Sequence, residues 1–266
     1  MMKHILSIAG TDPSGGAGAM ADCKTFCAHG CYAMNVITAI VAQNTQGVKD
    51  YMDVPPELIR SQLRCVFDDI SVDAVKIGMV SAIDTIHVIA DILREYKPSI
   101  VVVDPVMVAT SGHRLLAPEA EQTLQDVLLP LATIVTPNIP EAEVLTSKEI
   151  KTIDDMKDAA KCIAAMGPKA VLVKGGHRID DATDILYDGE TFYSFPGKRV
   201  NSTSTHGTGC SLSSAIAADL GNGMTLVDAV KEAKQYVFDG IAHAEPIGKG
   251  HGPIHHFYSV YQKAGM

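Results

Sequence analysis

The stretch AIDTIHVIADILREYKPSIVVVD, residues 82–104, joins a helix pattern directly to a strand pattern. In 82–96 the apolar residues recur at the three- and four-residue spacing of an amphipathic helix. In 99–104 a run of isoleucine and valine ends at Asp104, as in a buried strand that finishes on a polar side chain. The stretch therefore predicts a helix that leads into a buried strand, the repeating unit of an α/β fold.

The same alternation extends along the chain on both sides of this stretch. Further buried strands are predicted at 4–10, 36–42, 73–78, 133–138 and 170–176. Further helices are predicted at 57–70, 118–129, 153–167, 207–220 and 225–244, and near the C-terminus. Strands that are apolar throughout and alternate with helices predict a central, mostly parallel sheet with helices on both faces.

The segment 184–201 departs from this rhythm. It contains YDGETF, in which Asp-Gly separates two alternating runs, and this pattern predicts an antiparallel hairpin late in the sheet. The chain shows no internal repeat, low-complexity segment or linker. Residues 1–266 are therefore predicted to form a single domain.

Composition narrows the classes of function. A net charge of −9 argues against nucleic-acid binding, because the phosphate backbone would be repelled. No apolar run approaches the roughly 20 residues that span a bilayer, and the N-terminal residues lack the layout of a secretory signal, so we expect a cytoplasmic protein. The six cysteines include no CxxC pair, and reduced, packed thiols are the favoured interpretation.

A glycine-rich loop, GTDPSGGAGAMADCKTF at 10–26, follows the first predicted strand. It lacks the Gly-Lys-Ser/Thr of a P-loop, and its glycines have the wrong spacing for a dinucleotide fingerprint. Glycines let backbone approach a ligand closely. Contact with a small planar ligand and a simple tight turn from strand to helix are both open interpretations.

Polar side chains follow three further predicted strands. Asp104, Asn138 and Glu141 stand at or just after strand ends, where carboxylate and amide oxygens suit Mg²⁺. The alternative is local capping, with Asp104 in a turn and Asn138 at the start of a helix near Pro140. Lys174 ends another strand, and we expect its ammonium to meet a phosphate unless it simply reaches the surface.

HGTGCSLSSAIA, residues 206–217, places glycines and a cysteine at the start of a predicted helix. The first N–H groups of a helix have no partner within it, and its dipole puts partial positive charge there. An anion can therefore sit on these amides, and the same field is expected to favour a thiolate at Cys210. Cys210 is thus a candidate base, with a buried small residue as the alternative.

Seven motifs in order resemble the ribokinase superfamily and, within it, the bacterial hydroxymethylpyrimidine and phosphomethylpyrimidine kinases of thiamine biosynthesis. These motifs are AGTDPSGGAG, VAQNTQGV, KIGM, DPVM, TPNIPEA, VKGGH and HGTGCSLSSAIA. The resemblance implies a ribokinase-like three-layer sandwich. It also implies ATP-dependent phosphorylation of 4-amino-5-hydroxymethyl-2-methylpyrimidine and then of its monophosphate, in a homodimer.

The resemblance assigns expected roles residue by residue. Residues expected to border the pyrimidine are Gly10, Asp22, Val41, Gln43, Met79 and Val106. Asp104 and Glu141 are expected to serve Mg²⁺, and Asn138 and Lys174 the phosphates of ATP. The expected anion hole consists of Gly207, Thr208 and Gly209. Cys210 stands where many superfamily kinases have an aspartate base.

Three alternatives stay open at this point. A pyridoxal or pyridoxine kinase, or an enzyme acting on both rings, is the nearest, although the Gln43 amide favours an aminopyrimidine edge. A sugar kinase is less favoured, because no lid insertion is evident between residues 10 and 35. A binding protein without catalysis would need neither Glu141 nor Cys210. The C-terminal histidines near GPIHHF are expected to pack rather than to bind metal.

Overall fold

The computed structural model describes residues 1–107, 116–176 and 182–266. Among these, eight strands form the main sheet, in the spatial order β10 (Phe192–Phe195), β9 (Asp184–Tyr187), β8 (Ala170–Val173), β7 (Ile134–Val135), β6 (Val101–Val103), β5 (Ala74–Ile77), β1 (His4–Ala9) and β2 (Tyr32–Ile37). All neighbouring pairs from β2 to β8 in this order are parallel. At the other edge, β9 pairs antiparallel with β8, and β10 pairs antiparallel with β9. The predicted mostly parallel sheet and the late hairpin are both confirmed.

The strands are short and bounded as follows: β1 His4–Ala9, β2 Tyr32–Ile37, β3 Ala39–Asn44, β4 Gly47–Asp53, β5 Ala74–Ile77, β6 Val101–Val103, β7 Ile134–Val135, β8 Ala170–Val173, β9 Asp184–Tyr187 and β10 Phe192–Phe195. The helices are α1 Gly18–Ala28, α2 Pro56–Phe67, α3 Ile83–Tyr96, α4 Pro118–Thr123, α5 Ile139–Thr146, α6 Ile153–Ala164, α7 Thr208–Gly221, α8 Leu226–Ala242 and α9 Tyr258–Ala264. Helix α4 continues as a π turn and a 3-10 turn to Leu131.

The alternation of strand side chains builds two separate cores. Leu6, Val75 and Val101 belong to one core, which also receives α2, α3 and α6. Their sequence neighbours Ile5, Ala74 and Val102 belong to the other core, which receives α1, α7 and α8. Successive residues of a strand point to opposite faces, so the sheet is covered by helices on both sides. The three-layer expectation is confirmed.

The prediction of one strand at 36–42 is wrong. The chain breaks at Thr38, whose hydroxyl donates to the Met79 carbonyl oxygen at 2.7 Å. β2 ends before this point, and β3 pairs antiparallel with β4 in a separate two-stranded sheet. The β3–β4 hairpin therefore stands outside the main sheet, near the carboxyl end of β1.

The tip of the β3–β4 hairpin is fastened to the C-terminal part of the chain. The Thr45 carbonyl oxygen accepts from the His251 N–H at 2.8 Å. The Thr45 hydroxyl accepts from the N–H groups of Lys249 and Gly250, both at 3.2 Å. These contacts join segments more than 200 residues apart in the sequence and hold the hairpin in place.

No described helix combines the length and apolarity needed to cross a bilayer.

Candidate active site

A cavity of about 1660 Å³ opens where β1, β6 and β8 end. Ligands of open α/β sheets bind at the carboxyl ends of the strands, so its position is the expected one. Thirteen of the predicted site residues line it: Gly10, Val41, Gln43, Met79, Asp104, Val106, Asn138, Glu141, Lys174, Gly207, Thr208, Gly209 and Cys210. Residues 108–112, which follow Asp104 in its motif, and His177 lie outside the described residues.

One end of the cavity is apolar. Val41 and Met79 form a small buried cluster with Ala39, and Val48 and Val106 pack against it. Gly10 keeps this end open, because a Cβ there would lie 3.1 Å from Met79 Sδ. The apolar side chains leave room for a flat ring, bordered by the amide of Gln43.

The main chain beside Val41 is already engaged within the protein. The Val41 N–H donates to Thr11 Oγ1 at 3.0 Å. The Val41 side chain and the Gln43 amide, both from β3, line this end of the cavity.

Asp22 does not line the cavity, contrary to the expectation that it borders the ring. It is fully buried, and its carboxylate accepts hydrogen bonds from Lys76 Nζ at 2.8 and 2.9 Å. Ser7 and Ser214 also donate to it, at 2.6 and 2.8 Å. Because the donors to its carboxylate are themselves buried, Asp22 lies behind the cavity wall and does not reach into the cavity.

Lys76 is a residue that the sequence reasoning missed. It is fully buried within β5. Burial alone lowers the pKa of Lys76, but the Asp22 carboxylate together with Cys210 and Asp104 outweighs this and raises it above the ordinary value. A lysine inside the otherwise apolar segment 74–77 was the available signal, the same signal that pointed to Lys174.

Asp104 and Lys174 form an ion pair at the base of the cavity. Lys174 Nζ lies 2.8 Å from Asp104 Oδ1, which also accepts from Thr136 Oγ1 at 3.1 Å. Burial alone raises the pKa of Asp104, but the charges of Lys174 and Lys76 outweigh it and hold that pKa below the ordinary value. A Cβ at Gly209 would lie 3.3 Å from Lys174 Nζ, so this glycine borders the pair.

Asn138 and Glu141 form a capping box at the start of α5. Asn138 Oδ1 accepts from the Glu141 N–H at 2.9 Å, and Glu141 Oε2 accepts from the Asn138 N–H at 2.8 Å. The capping interpretation is thus confirmed, while both residues also border the cavity. Burial, reinforced by the Asp104 carboxylate, raises the pKa of Glu141 to about 7, although Lys174 opposes the shift.

Helix α7 opens on the cavity without a side-chain cap. Gly207 is its N-cap with φ +74°, and the first helical bond runs from the Ser211 N–H to the Gly207 carbonyl oxygen at 2.9 Å. Within the described part of the chain, the N–H groups of Gly209 and Cys210 have no acceptor. Two free amides beside Lys174 make this helix end suited to the oxygens of a phosphoryl group.

The surroundings of Cys210 do not favour the expected thiolate. Burial raises the pKa of the thiol to about 11, and the carboxylates of Asp22 and Asp104 act in the same direction. Lys76 and a hydrogen bond from the Gly18 N–H oppose this shift only in part. Burial and the two carboxylates thus outweigh the groups that favour the thiolate, so the thiol carries its proton at neutral pH.

Cationic side chains gather at the end of the cavity opposite to the β3–β4 hairpin. They are Lys198, Arg199, Lys231 and Lys234. Lys234 Nζ lies 2.5 Å from Asp184 Oδ2 and 2.6 Å from the Ala182 carbonyl oxygen, and this joins α8 to β9. The sequence pattern did not single out this group, because its members come from separate segments.

The C-terminal histidines take different positions. His256 is buried, and its Nε2 lies 3.1 Å from Ser211 Oγ in α7. Burial lowers the pKa of His256 to about 4, so the ring is neutral and packs as a structural group. His251 lines the cavity, with Nδ1 3.2 Å from Thr205 Oγ1.

Comparison with known proteins identifies the chain as similar to kinases. Residues 12–255 match the family model described as phosphomethylpyrimidine kinase. The chain is 51% identical over 262 residues to the hydroxymethylpyrimidine/phosphomethylpyrimidine kinase of Rhizobium meliloti (strain 1021), covering 97% of this chain and 98% of that relative.

Two solved structures extend the likeness to the fold. Phosphomethylpyrimidine kinase from Clostridium difficile 630 is 47% identical with a TM-score of 0.82, over 90% of this chain and 99% of the other. The pyridoxal kinase from Staphylococcus aureus in complex with AMP-PCP and pyridoxal is 34% identical with a TM-score of 0.89, over 97% and 95% of the two chains. The second structure carries an ATP analogue and a small ring together.

Proposed function

The chain belongs to the phosphomethylpyrimidine kinase family, and from that premise we propose that it phosphorylates 4-amino-5-hydroxymethyl-2-methylpyrimidine with ATP and then phosphorylates the resulting monophosphate. The observation that carries this proposal is the composition of one cavity. It combines an apolar recess bordered by Gln43 with the uncapped start of α7 beside Lys174. A small aromatic alcohol and a phosphoryl donor can therefore meet in it.

The ring is assigned to the apolar end. Val41, Met79 and Val106 supply contacts for its faces, and the Gln43 amide has a donor and an acceptor for an aminopyrimidine edge. These groups fix the ring, so that its hydroxymethyl group can point towards the start of α7. Holding two reactants in this way supplies much of the rate enhancement of group transfer.

The transferring phosphoryl group is assigned to the start of α7. Its charge rests on oxygen atoms, which the free N–H groups of Gly209 and Cys210 and the ammonium of Lys174 stabilise. Gly207 and Thr208 complete this turn. Asn138 borders the same region and is assigned to the phosphates of ATP.

Magnesium is proposed as the metal. The donor set fits, because Mg²⁺ is commonly held by one or two carboxylates together with waters and substrate phosphates. Asp104 and Glu141 are buried carboxylates that border the cavity, and they would hold the ion. When bound, Mg²⁺ offsets the negative charge of the ATP phosphates.

Cys210 is assigned to the hydroxyl group of the first substrate. To accept a proton it must first lose its own, and Lys76 and the Gly18 N–H are the groups that favour its thiolate. In the second phosphorylation the attacking group is a phosphate that is already ionised. A base is therefore needed in the first step and dispensable in the second.

An assay of ADP release with each ring tests the function. We expect turnover with the hydroxymethylpyrimidine and its monophosphate, and a lower kcat/KM with pyridoxal. A preference for pyridoxal would instead establish a vitamin B6 kinase, the activity named for the similar Staphylococcus aureus structure. ADP release at background level with every ring would mean a binding protein without catalysis.

We further propose that residues 1–266 act as a single domain, that two copies form a homodimer, and that the protein works in the cytoplasm. The family resemblance supports the dimer, and the need for cellular ATP supports the location. Light scattering on the purified protein measures the number of copies directly. A mass near 28.3 kDa would contradict the dimer.

A further inference from the structure

Asp12 organises the glycine-rich loop from inside the protein. Its side chain is fully buried, and its Oδ1 accepts from the N–H and the hydroxyl of Ser14 at 2.8 and 2.7 Å. Its Oδ2 accepts from the N–H groups of Gly16 and Ala17 at 3.0 and 2.8 Å. One carboxylate thus fixes the loop between β1 and α1.

The fifth hydrogen bond to Asp12 comes from the turn before α7. His206 Nε2 lies 2.8 Å from Asp12 Oδ2, across 194 residues of sequence. Burial alone raises the pKa of Asp12, but the His206 and Ser14 hydrogen bonds outweigh it and lower that pKa to about 2. The carboxylate is therefore ionised, and His206 Nε2 carries the hydrogen of this bond.

His206 is also tied to the C-terminal segment. Its N–H donates to the Gly252 carbonyl oxygen at 2.9 Å, and it forms an isolated bridge with Pro253. Three segments therefore meet at this one residue: the glycine-rich loop, the turn before α7 and the chain at 252–253.

The residue after His206 is the N-cap of α7, and it touches the same loop. A Cβ on Gly207 would overlap the carbonyl oxygen of Gly16, so the two backbones are in direct contact. One turn further, the Gly18 N–H points to the Cys210 sulfur. A displacement of the glycine-rich loop must therefore displace the free amides of α7 or open a gap beside them.

We propose that His206 is a positioning residue for phosphoryl transfer, acting through its hydrogen bond to Asp12. The bond holds the start of α7 against the glycine-rich loop and so fixes where the Gly209 and Cys210 amides point. His206 itself transfers no proton. This inference rests on the proposed kinase function, since it concerns the amides assigned to the transferring group.

Two amide substitutions test whether His206 acts through its hydrogen bond to Asp12 or through its imidazole ring itself. Glutamine places its Nε2 about where histidine places its own, whereas the shorter asparagine does not reach Asp12. We expect His206→Asn to lower kcat by on the order of 100-fold, as for a misplaced catalytic group, with little change in pyrimidine affinity measured by calorimetry. His206→Gln is expected to recover most of kcat.

The chain contains a matched control. His29 Nδ1 lies 2.8 Å from Asp219 Oδ1, a second histidine–carboxylate pair that joins α1 to α7 but does not line the cavity. We expect His29→Leu, which removes the donor at the Nδ1 position, to lower the Tm, as is also expected of His206→Asn, but to leave kcat unchanged. Gly16→Ala gives an independent test, because its added methyl would overlap His206 Cδ2. It is expected to lower kcat with His206 intact.

The outcomes separate the two proposals. Absence of ADP release in the wild-type protein overturns the proposed function. If the wild type turns over, wild-type kcat in His206→Asn overturns the positioning role, as does an equal loss in the Gln and Asn variants or a change confined to KM. If His206→Asn does not fold, Gly16→Ala decides, and an unchanged kcat there overturns the proposal.

Discussion

Lys76 and Asp22 form an ion pair in which both side chains are completely shielded from solvent, with Lys76 Nζ 2.8 Å from Asp22 Oδ1. Neither charge can be rehydrated if its partner is removed. Replacing one member of a buried pair leaves an uncompensated charge, which is usually more costly than replacing both. The pair lies under Cys210, whose thiol pKa both charges affect.

We expect Lys76→Met to lower the free energy of unfolding by about 3–5 kcal/mol, because Asp22 is left buried and unpaired. The double variant Asp22→Asn/Lys76→Met is expected to recover part of this loss. Urea unfolding followed by circular dichroism measures both.

The surface pair of Lys3 and Asp73 is the control for this measurement. It has the same separation of 2.8 Å, but the Lys3 side chain is 41% exposed. Lys3→Met should cost less than about 1 kcal/mol. Equal losses in the Lys3 and Lys76 variants would show that burial does not set the strength of the Lys76–Asp22 pair.

Cys210→Ala is expected to depress the first phosphorylation far more than the second. Only the first acceptor is a neutral hydroxyl group that must lose a proton, and the second is already an anion. Each step is measured as ADP release with the corresponding purified substrate under saturating ATP. Equal losses in the two steps would remove the general-base role and leave Cys210 a role in shaping the anion hole.

Glu141→Gln is expected to change how stability depends on pH. With its pKa raised to about 7, native Glu141 keeps a proton that the unfolded chain releases from about 4.5 upward. Stability of the wild type therefore falls as pH rises between these values. The variant lacks this titration. As pH rises, the free energy of unfolding of the variant should therefore gain on that of the wild type by up to about 1.4 kcal/mol per pH unit.

Urea unfolding at pH 5, 6, 7 and 8 checks this expectation. The difference between Glu141→Gln and wild type should grow up to pH 7 and then level off. A difference that is constant across the series would mean that native Glu141 titrates like the unfolded group.

Gly207→Ala is expected to lower kcat by on the order of 100-fold, because the added methyl would displace the amides of α7 from the loop at Gly16. Gly30→Ala is its matched control. Gly30 has φ +73° against +74° for Gly207, but a Cβ there meets nothing within 4 Å.

Both alanine variants carry the same backbone strain, about 1–2 kcal/mol for a left-handed residue. The expected pattern is a loss of Tm in both variants, larger in Gly207→Ala because of its overlap with Gly16, and a loss of kcat in Gly207→Ala alone. If kcat falls equally in both, the effect of Gly207→Ala comes from strain and not from the position of the amides.

The parts of the site that follow strands were predictable from the sequence. Asp104 and Lys174 end apolar runs, and the carboxyl ends of parallel strands meet at one edge of a sheet. This geometry places the two side chains at the same edge, but the sequence did not predict their ion pair, since β7 lies between their strands. The start of α7 was predictable for a similar reason, since Gly-Thr-Gly precedes a clear helical stripe.

Features that depend on distant neighbours were not predictable. The apolar pattern runs unbroken through 36–42, and the break at Thr38 is set by its hydrogen bond to Met79, 41 residues away. The partner of Lys76 lies 54 residues away. The thiol pKa of Cys210 likewise depends on Asp22 and Asp104, which local helix geometry does not reveal.

The hydrogen bonds between Thr45 and residues 249–251 affect how a small molecule enters and leaves the cavity. The hairpin that walls the ring end cannot lift by itself, because it would pull the tail of the chain along or break all three bonds. Entry and exit of the small molecule are thus linked to the anchoring of the last twenty or so residues. A peptide appended there, or a proteolytic cut near Ile247, would alter turnover from outside the cavity.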